Sequence, residues 1–357
     1  MNTLTKINWA GRAIALLASS LLAAVWADSP SPTAPASVLR AVCFGEDRFV
    51  AVGDLGAVAV SLDGQRWTYA RTRTDRNLLG IASGNGIFVA VGGDGILLTS
   101  DDGFRWTKRQ SKTSNVLTCV AFADDRFVAA GSGGVVLTSE AGISWQSHHT
   151  DLESYPYAIA HGEGMFVLVG ETILCSTNGL SWKACTKPIP RICNGVAWAD
   201  GEFVGVGGRG TITGGNAARG WRLIAEMPPA YLESVAYGNG ILVAVGPAKT
   251  ILRSDNAREW TRISHQPGLD LNSVAFGRGL FVAAGDALFS SGDGQVWARG
   301  ALESPPPSAT KRLAAQALLR HRGQETKTSS RSSILSSRFP RVRADRSANS
   351  TNTGTLR

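Results

Sequence analysis

Residues 79–106 read LGIASGNGIFVAVGGDGILLTSDDGFRW, and four short apolar runs alternate there with three glycine-bearing turns. Leu79 to Ala82 forms the first run, and Ser83-Gly84-Asn85-Gly86 carries the Asn-Gly pair that a type I′ hairpin prefers. Ile87 to Val91 is the second run, Gly92-Gly93-Asp94-Gly95 turns it, and Ile96 to Thr99 is the third. Ser100-Asp101-Asp102-Gly103 turns again and Trp106 opens the fourth. The runs are β-branched and apolar on both faces, as strands are when their sheet is packed between neighbouring sheets.

The unit recurs. Tryptophans stand at Trp67, Trp106, Trp145, Trp182, Trp221, Trp260 and Trp297, spaced 39, 39, 37, 39, 39 and 37. Glycines at Gly53, Gly92, Gly131, Gly170, Gly207, Gly246 and Gly285 are spaced 39, 39, 39, 37, 39 and 39. A period near 40 points to a propeller, a solenoid or an array. Four strands per unit, and no helical periodicity between 38 and 300, predict an all-β fold: a closed seven-bladed β-propeller of four antiparallel strands per blade. Closure also hides the strand edges that a linear array exposes. The repeats fall near 38–77, 78–115, 116–155, 156–190, 191–230, 231–270 and 271–300.

The turn before each tryptophan carries a motif, complete in three repeats: Ser61, Asp63, Gly64 and Trp67; Ser100, Asp102, Gly103 and Trp106; Ser291, Asp293, Gly294 and Trp297. A carboxylate there accepts backbone N–H bonds across the turn, and the glycine permits positive φ. The indole fills the gap between blades, at Trp145, Trp182, Trp221 and Trp260 as at the other three, and its N–H needs a partner there. Ala141-Gly142, Asn178-Gly179, Ala217-Ala218 and Asn256-Ala257 lack the Asp-Gly pair, so more irregular loops are expected at those turns.

Residues 38–300 resemble the Asp-box, or BNR-repeat, β-propellers, a superfamily that includes the sialidases and the photosystem II stability/assembly factors. The usual spacing is S-x-D-x-G-x-x-W. This chain has S-x-D-G-x-x-W, one residue shorter, which marks a divergent branch. In enzymes of that family the Asp boxes are structural turns remote from the active site, and sialidases use three arginines, a tyrosine paired with a glutamate, and an aspartate. Their Arg-Ile-Pro segment has its nearest counterpart in Pro190-Arg191-Ile192-Cys193, which lies mid-chain and lacks the proline after isoleucine. The resemblance therefore implies a non-catalytic interaction or assembly scaffold. A glycan-binding or sialidase-like hydrolase is the alternative. Tyr155, Tyr157 and Tyr231 are too scattered along the chain to read as stacked sugar subsites.

Other chemistry is thin. No phosphate loop, G-x-S-x-G elbow or H-E-x-x-H occurs, and no cofactor or metal is expected. His148-His149, with Asp151 and Glu153, reads as a solvated loop, because adjacent histidines do not face one point. Asp47 and Asp125 read as turn residues. Of five cysteines, Cys43 and Cys119 read as core fillers. Cys185 and Cys193 flank a loop they could staple in an oxidising compartment, and Cys175 is the alternative partner for Cys185. Strand order brings the four-to-one loops and the two-to-three turns onto one face, which in this family is the functional one. A candidate basic arc is expected there: Arg71, Arg73 and Arg76; Lys108, Arg109 and Lys112; Lys183, Lys187 and Arg191. It would attract an acidic partner, protein or glycan. The photosystem assembly factors have a similar arginine-rich surface, without a residue-by-residue match.

The 357 residues include 41 glycines, and a residue that costs ~1 kcal/mol in a helix interior argues against a helical bundle. The formal charge is +8, but residues 28–300 hold 23 Lys/Arg against 25 Asp/Glu, a net of −2. Nucleic acid is therefore not an expected partner, and a monomer is expected. Residues 1–27 read as a signal peptide: Lys6 and Arg12, an apolar run from Ala13 to Ala24, then Val25-Trp26-Ala27. The run is short for a membrane span, so cleavage after Ala27 and export, to the periplasm or beyond in a bacterium, are expected. Residues 28–37 form a linker. The last segment, 301–357, is a basic tail with 11 Lys/Arg against 3 Asp/Glu, a short helix near 309–322 and otherwise expected disorder.

Overall fold

A computed structural model describes residues 37–303, except 151–154, 186–191, 217–219, 229, 249 and 264–268. The expected signal peptide, nearly all of the linker, and the tail from 304 with its helix lie outside the described residues. Seven antiparallel sheets follow one another along the chain, each ordered first to fourth strand as in the sequence. The first blade shows the pattern, with strands Leu39–Gly45, Arg48–Gly53, Ala57–Ser61 and Arg66–Arg71. The others occupy 78–108, 117–149, 156–184, 193–226, 234–262 and 271–299. First strands pack against the first strands of both neighbouring blades all the way round, so they stand at the axis and the fourth strands at the rim. The protein is a seven-bladed β-propeller.

Seven separate apolar clusters fill the seven junctions between blades. Each repeat tryptophan packs into the junction with the preceding blade: Trp106 between the first and second, Trp297 between the sixth and seventh. This burial on two sides is why the second strands are apolar throughout. Residues 49–52 and 88–91 have no solvent exposure. The periodic glycine has a steric cause. A Cβ on Gly53, Gly92 or Gly285 would stand 2.1, 1.9 and 1.9 Å from the carbonyl oxygen of Val38, Asn77 and Asp270, so only hydrogen fits where the second strand ends.

The hairpins between first and second strands are left-handed pairs, as at Asn85 and Gly86 (φ 48° and 75°) or Asp124 and Asp125 (φ 48° and 56°). The turns between third and fourth strands show what the motif does. In the first blade Gly64 N–H donates to Ser61 Oγ (2.8 Å), and Gln65 and Arg66 N–H donate to Asp63 Oδ1 (2.9 and 2.8 Å). Trp67 Nε1–H closes the turn on the Gly64 carbonyl (3.2 Å). The second and seventh blades repeat the network around Asp102 and Asp293.

Several expectations need correction. The Asn178 and Asn256 turns are not irregular, because the amide oxygen replaces the carboxylate. Leu180 and Ser181 N–H donate to Asn178 Oδ1 (2.9 and 3.0 Å), and Arg258 and Glu259 N–H to Asn256 Oδ1 (2.9 and 2.8 Å). In the third blade Ala141 offers no acceptor, and Ser139 Oγ is buried with no hydrogen-bond partner among the described residues. The fifth blade departs furthest, pairing Thr211–Asn216 with Gly220–Glu226 as one long hairpin. Cys185 is bonded to Cys175 across the strand pair of the fourth blade (Cα–Cα 5.3 Å), not to Cys193. Cys193 is a free, buried thiol 3.6 Å from Thr213 Oγ1. His148 and His149 lie on the strand Gln146–His149 rather than in a loop, and His148 Nε2 meets Thr138 Oγ1 at 2.9 Å.

The ring does not end at residue 300. Ala301–Glu303 forms a fifth strand on the first blade, parallel to its fourth, with Leu302 opposite Trp67. Gly300 lies so close over Trp67 that a Cβ there would stand 2.9 Å from the indole. Trp67 is consequently fully buried, whereas Trp106 keeps partial exposure.

Candidate functional site

In six blades the first strand opens on a buried residue, Leu39, Leu78, Leu117, Pro156, Cys193 and Leu271, and in the sixth the equivalent buried Leu232 stands two residues before the strand Ser234–Gly238. In those six blades the next residue bulges, since pairing with the second strand slips there, as between Leu39 and Ala41 or Leu271 and Ser273. Round the ring the equivalent position holds Arg40, Leu79, Thr118, Tyr157, Asn194, Glu233 and Asn272, with Glu233 just before its strand. Because the first strands line the axis, these side chains encircle one mouth of the central channel, on the face of the two-to-three turns.

Three of them clamp blades together. Thr118 Oγ1–H donates to the Pro156 carbonyl (2.6 Å), Asn194 Nδ2–H to Leu232 (2.9 Å) and Asn272 Nδ2–H to Leu39 (2.8 Å), each acceptor on the following blade. Arg40 instead turns to its own blade and holds Asp54 through two bonds, Nε to Oδ1 at 2.9 Å and Nη2 to Oδ2 at 2.8 Å. Among the described residues Tyr157 and Glu233 make no clamp.

Around these two lies a cluster from successive blades. Tyr155 packs on Tyr157 with ring centroids 5.4 Å apart. Tyr231 lies against Gly208, where a Cβ would stand 3.4 Å from its ring. Tyr157, Ile192 and Tyr231 are 39, 47 and 46% exposed, large fractions for apolar or aromatic side chains. Burial raises the Tyr157 phenol above its usual value, and Glu171, Tyr155, Tyr231 and Glu233 all push the same way. Burial likewise raises the Glu233 carboxyl, with Arg40 opposing and Asp270 reinforcing. Asp286 completes the acidic side, since it and Glu233 both act on Arg40. The described part of this mouth thus carries five carboxylates, Asp54, Glu171, Glu233, Asp270 and Asp286. Two guanidiniums stand against them, Arg40 and the exposed Arg209 of the turn Gly208–Gly210.

Only part of the expected basic arc falls on described residues. Arg71, Lys108 and Lys183 lie on fourth strands, at the rim. Arg109 Nε–H folds back onto Thr99 Oγ1 (2.9 Å). Arg73, Arg76 and Lys112 stay in the loops, but Arg76 is paired with Asp94 (3.1 Å) and Asp75 (3.9 Å). Lys187 and Arg191 lie outside the described residues. The tyrosines that are scattered along the sequence come to one face, because Tyr155, Tyr157 and Tyr231 occupy nearly equivalent places in the fourth and sixth repeats. Aligning the repeats on their glycines would have shown a ring position that varies between Arg, Tyr and Glu beside one that is always buried.

No protein-family model matches the chain, and no curated protein matches it in sequence. Solved structures do. The likeness is one of fold. YCF48 bound to a D1 peptide is 14% identical, with a TM-score of 0.58 over 70% of this chain and 91% of that one. YCF48 from Cyanidioschyzon merolae is 16% identical, with a TM-score of 0.60 over 73% of this chain and 97% of that one. The WD40 β-propeller domain of Doa1 is 15% identical, with a TM-score of 0.59 over 70% and 90%.

Proposed function

We propose that this chain is an exported, monomeric, non-catalytic propeller of the Asp-box kind that serves as a protein-interaction or assembly scaffold through its loop face. The observation that carries the reading is the mouth cluster. Tyr157, Tyr231 and Glu233 are placed by the ring, yet none of them holds blades together as Thr118, Asn194 and Asn272 do. Side chains that serve no clamp and stay exposed beside carboxylates are available to a ligand. A propeller of the same fold, YCF48, is known bound to a peptide, which supports a polypeptide partner here. The Cys175–Cys185 bond accords with an oxidising compartment, as the signal-like first 27 residues do.

The sialidase-like alternative is disfavoured by charge. An anionic sugar needs arginines converging on its carboxylate, but Arg40 is committed to Asp54 and the described mouth is acidic. A nucleophilic tyrosine needs its pKa lowered, whereas that of Tyr157 is raised. A neutral glycan remains the second reading, favoured by the paired rings of Tyr155 and Tyr157.

A photo-crosslinking residue at Tyr231, compared with one at Leu62 on the opposite face, tests the scaffold reading in the envelope of the native host. A discrete protein adduct is expected from the first position and not the second; equal labelling from both would refute use of the loop face. N-terminal sequencing of the mature protein is expected to begin at Asp28, and an intact Met1 would refute export by cleavage.

A further inference from the structure

We propose that the mouth cluster of the fourth to sixth blades is a docking site for an extended polypeptide segment that presents an arginine or lysine beside an apolar residue. This rests on the scaffold reading and gives it a ligand chemistry opposite in sign to that expected from the sequence.

The argument begins with shape. Tyr155 and Tyr157 come from the fourth blade, Ile192 leads into the fifth, and Tyr231 leads into the sixth. A ligand touching all of them spans two blade junctions, farther than one side chain reaches but within a short extended segment. The exposed apolar and aromatic surfaces give such a segment something to bury.

Charge then selects the chemistry. Glu171 and Glu233 both bear on Tyr157, so the aromatic surface is flanked by carboxylates. The one guanidinium acting on Glu233, that of Arg40, is already held by Asp54 through both oxygens. Negative charge at the mouth is therefore in excess among the described residues. An arginine or lysine entering between a tyrosine face and a carboxylate gains a cation–π contact and a charge-assisted hydrogen bond together. An acidic segment meets repulsion from the same groups. A neutral sugar can stack on the rings but gains no charge pairing, so its binding would not weaken with salt.

Selection of a random dodecapeptide display library on the full chain tests this, followed by titration of the enriched synthetic peptides. Enrichment of Arg or Lys next to an apolar residue is expected, with affinity falling as salt rises. Glu233→Gln and Tyr157→Ala are each expected to weaken binding by roughly fivefold, the size of one exposed cation–π or charge-assisted contact. Tyr157→Phe should retain most of the binding, and Leu62→Ala on the opposite face should leave it unchanged. Both outcomes keep a general folding defect from passing as a binding defect. Enrichment of acidic peptides, or cationic peptides indifferent to Tyr157 and Glu233, overturns the proposal while the scaffold reading stands. No enriched peptide at all overturns both, and a neutral oligosaccharide bound through Tyr157 in its place puts the glycan reading forward.

Discussion

On the face of the Asp63, Asp102 and Asp293 turns the polar side chains are consumed where they stand, while at the channel mouth Tyr157, Tyr231 and Glu233 are left open. Asp63 alone accepts two backbone N–H groups, a serine hydroxyl and the Arg66 guanidinium. Asn178 and Asn256 perform the same backbone task without charge, so that face needs an acceptor rather than an anion. The mouth shows the reverse: its seven equivalent positions hold six kinds of residue, and among the described residues three clamp neighbouring blades. Repetition marks the scaffold, and departure from repetition marks the surface available to a partner.

The largest test of the contrast concerns the rings that hold the scaffold. Trp67→Ala is expected to cost about 3–5 kcal/mol, as deletion of a fully buried aromatic does, and Trp106→Ala less, because that indole is partly exposed. Equal shifts of the urea midpoint would show that Gly300 and the closing strand do not seal Trp67.

That strand supplies the second test. A chain ending at Gly300 is expected to be about 2 kcal/mol less stable than one ending at Ser304, through lost strand hydrogen bonds and an uncovered indole. Identical thermal transitions would make Ala301–Glu303 a decoration of the first blade rather than part of the closure.

Smaller effects separate filled turns from the defective one. Ser61→Ala is expected to cost about 1 kcal/mol, since its hydroxyl caps Gly64 N–H. Ser139→Ala should cost nothing or stabilise, because a buried hydroxyl without a partner is itself unfavourable. Ala141→Asp should stabilise by giving that hydroxyl an acceptor. A loss from Ser139→Ala equal to that from Ser61→Ala would break this account.

Acid titration should move the two faces in opposite directions. Hydrogen bonds from Val296 and Gln295 N–H hold the Asp293 carboxyl below its ordinary range. For Asp63 and Asp102, burial pushes upward, but backbone N–H groups and the serine outweigh it. With the folded pKa depressed, the unfolded chain binds more protons. This contribution is complete above the ordinary carboxylate value of about 4 and is lost as pH falls through it toward the depressed values. Glu233 is raised, so the folded chain binds the extra proton; its contribution is present in acid and is lost as pH rises through the raised value. Stability profiles of the triple variant Asp63→Asn, Asp102→Asn, Asp293→Asn and of Glu233→Gln should therefore deviate from the parent with opposite slopes. Deviations of the same sign would remove the distinction. The smallest effect belongs to the mouth. Tyr231→Ala should shift stability by less than about 0.5 kcal/mol, because its ring is nearly half exposed and serves no clamp.

The amino-acid sequence by itself determined the number of blades, four strands in each, and the place of every tryptophan turn. Those features rest on local chemistry repeated at a fixed period: left-handed hairpins at Asn85-Gly86, a glycine where no Cβ fits, an indole after a capped turn. Only the tertiary structure decided which residues meet across the period. Tyr157 and Glu233 lie 76 positions apart in the chain and become parts of one mouth because first strands converge on an axis. The same convergence leaves Arg71, Lys108 and Lys183 at the rim, carried outward on fourth strands. Strand pairing chose Cys175 over Cys193 as the partner of Cys185, and ring closure placed Gly300 over Trp67. Local spacing fixes what a segment becomes, because turns and strands form from neighbours in the chain. The surface offered to a partner is assembled from repeats far apart, so it exists only once the ring is closed.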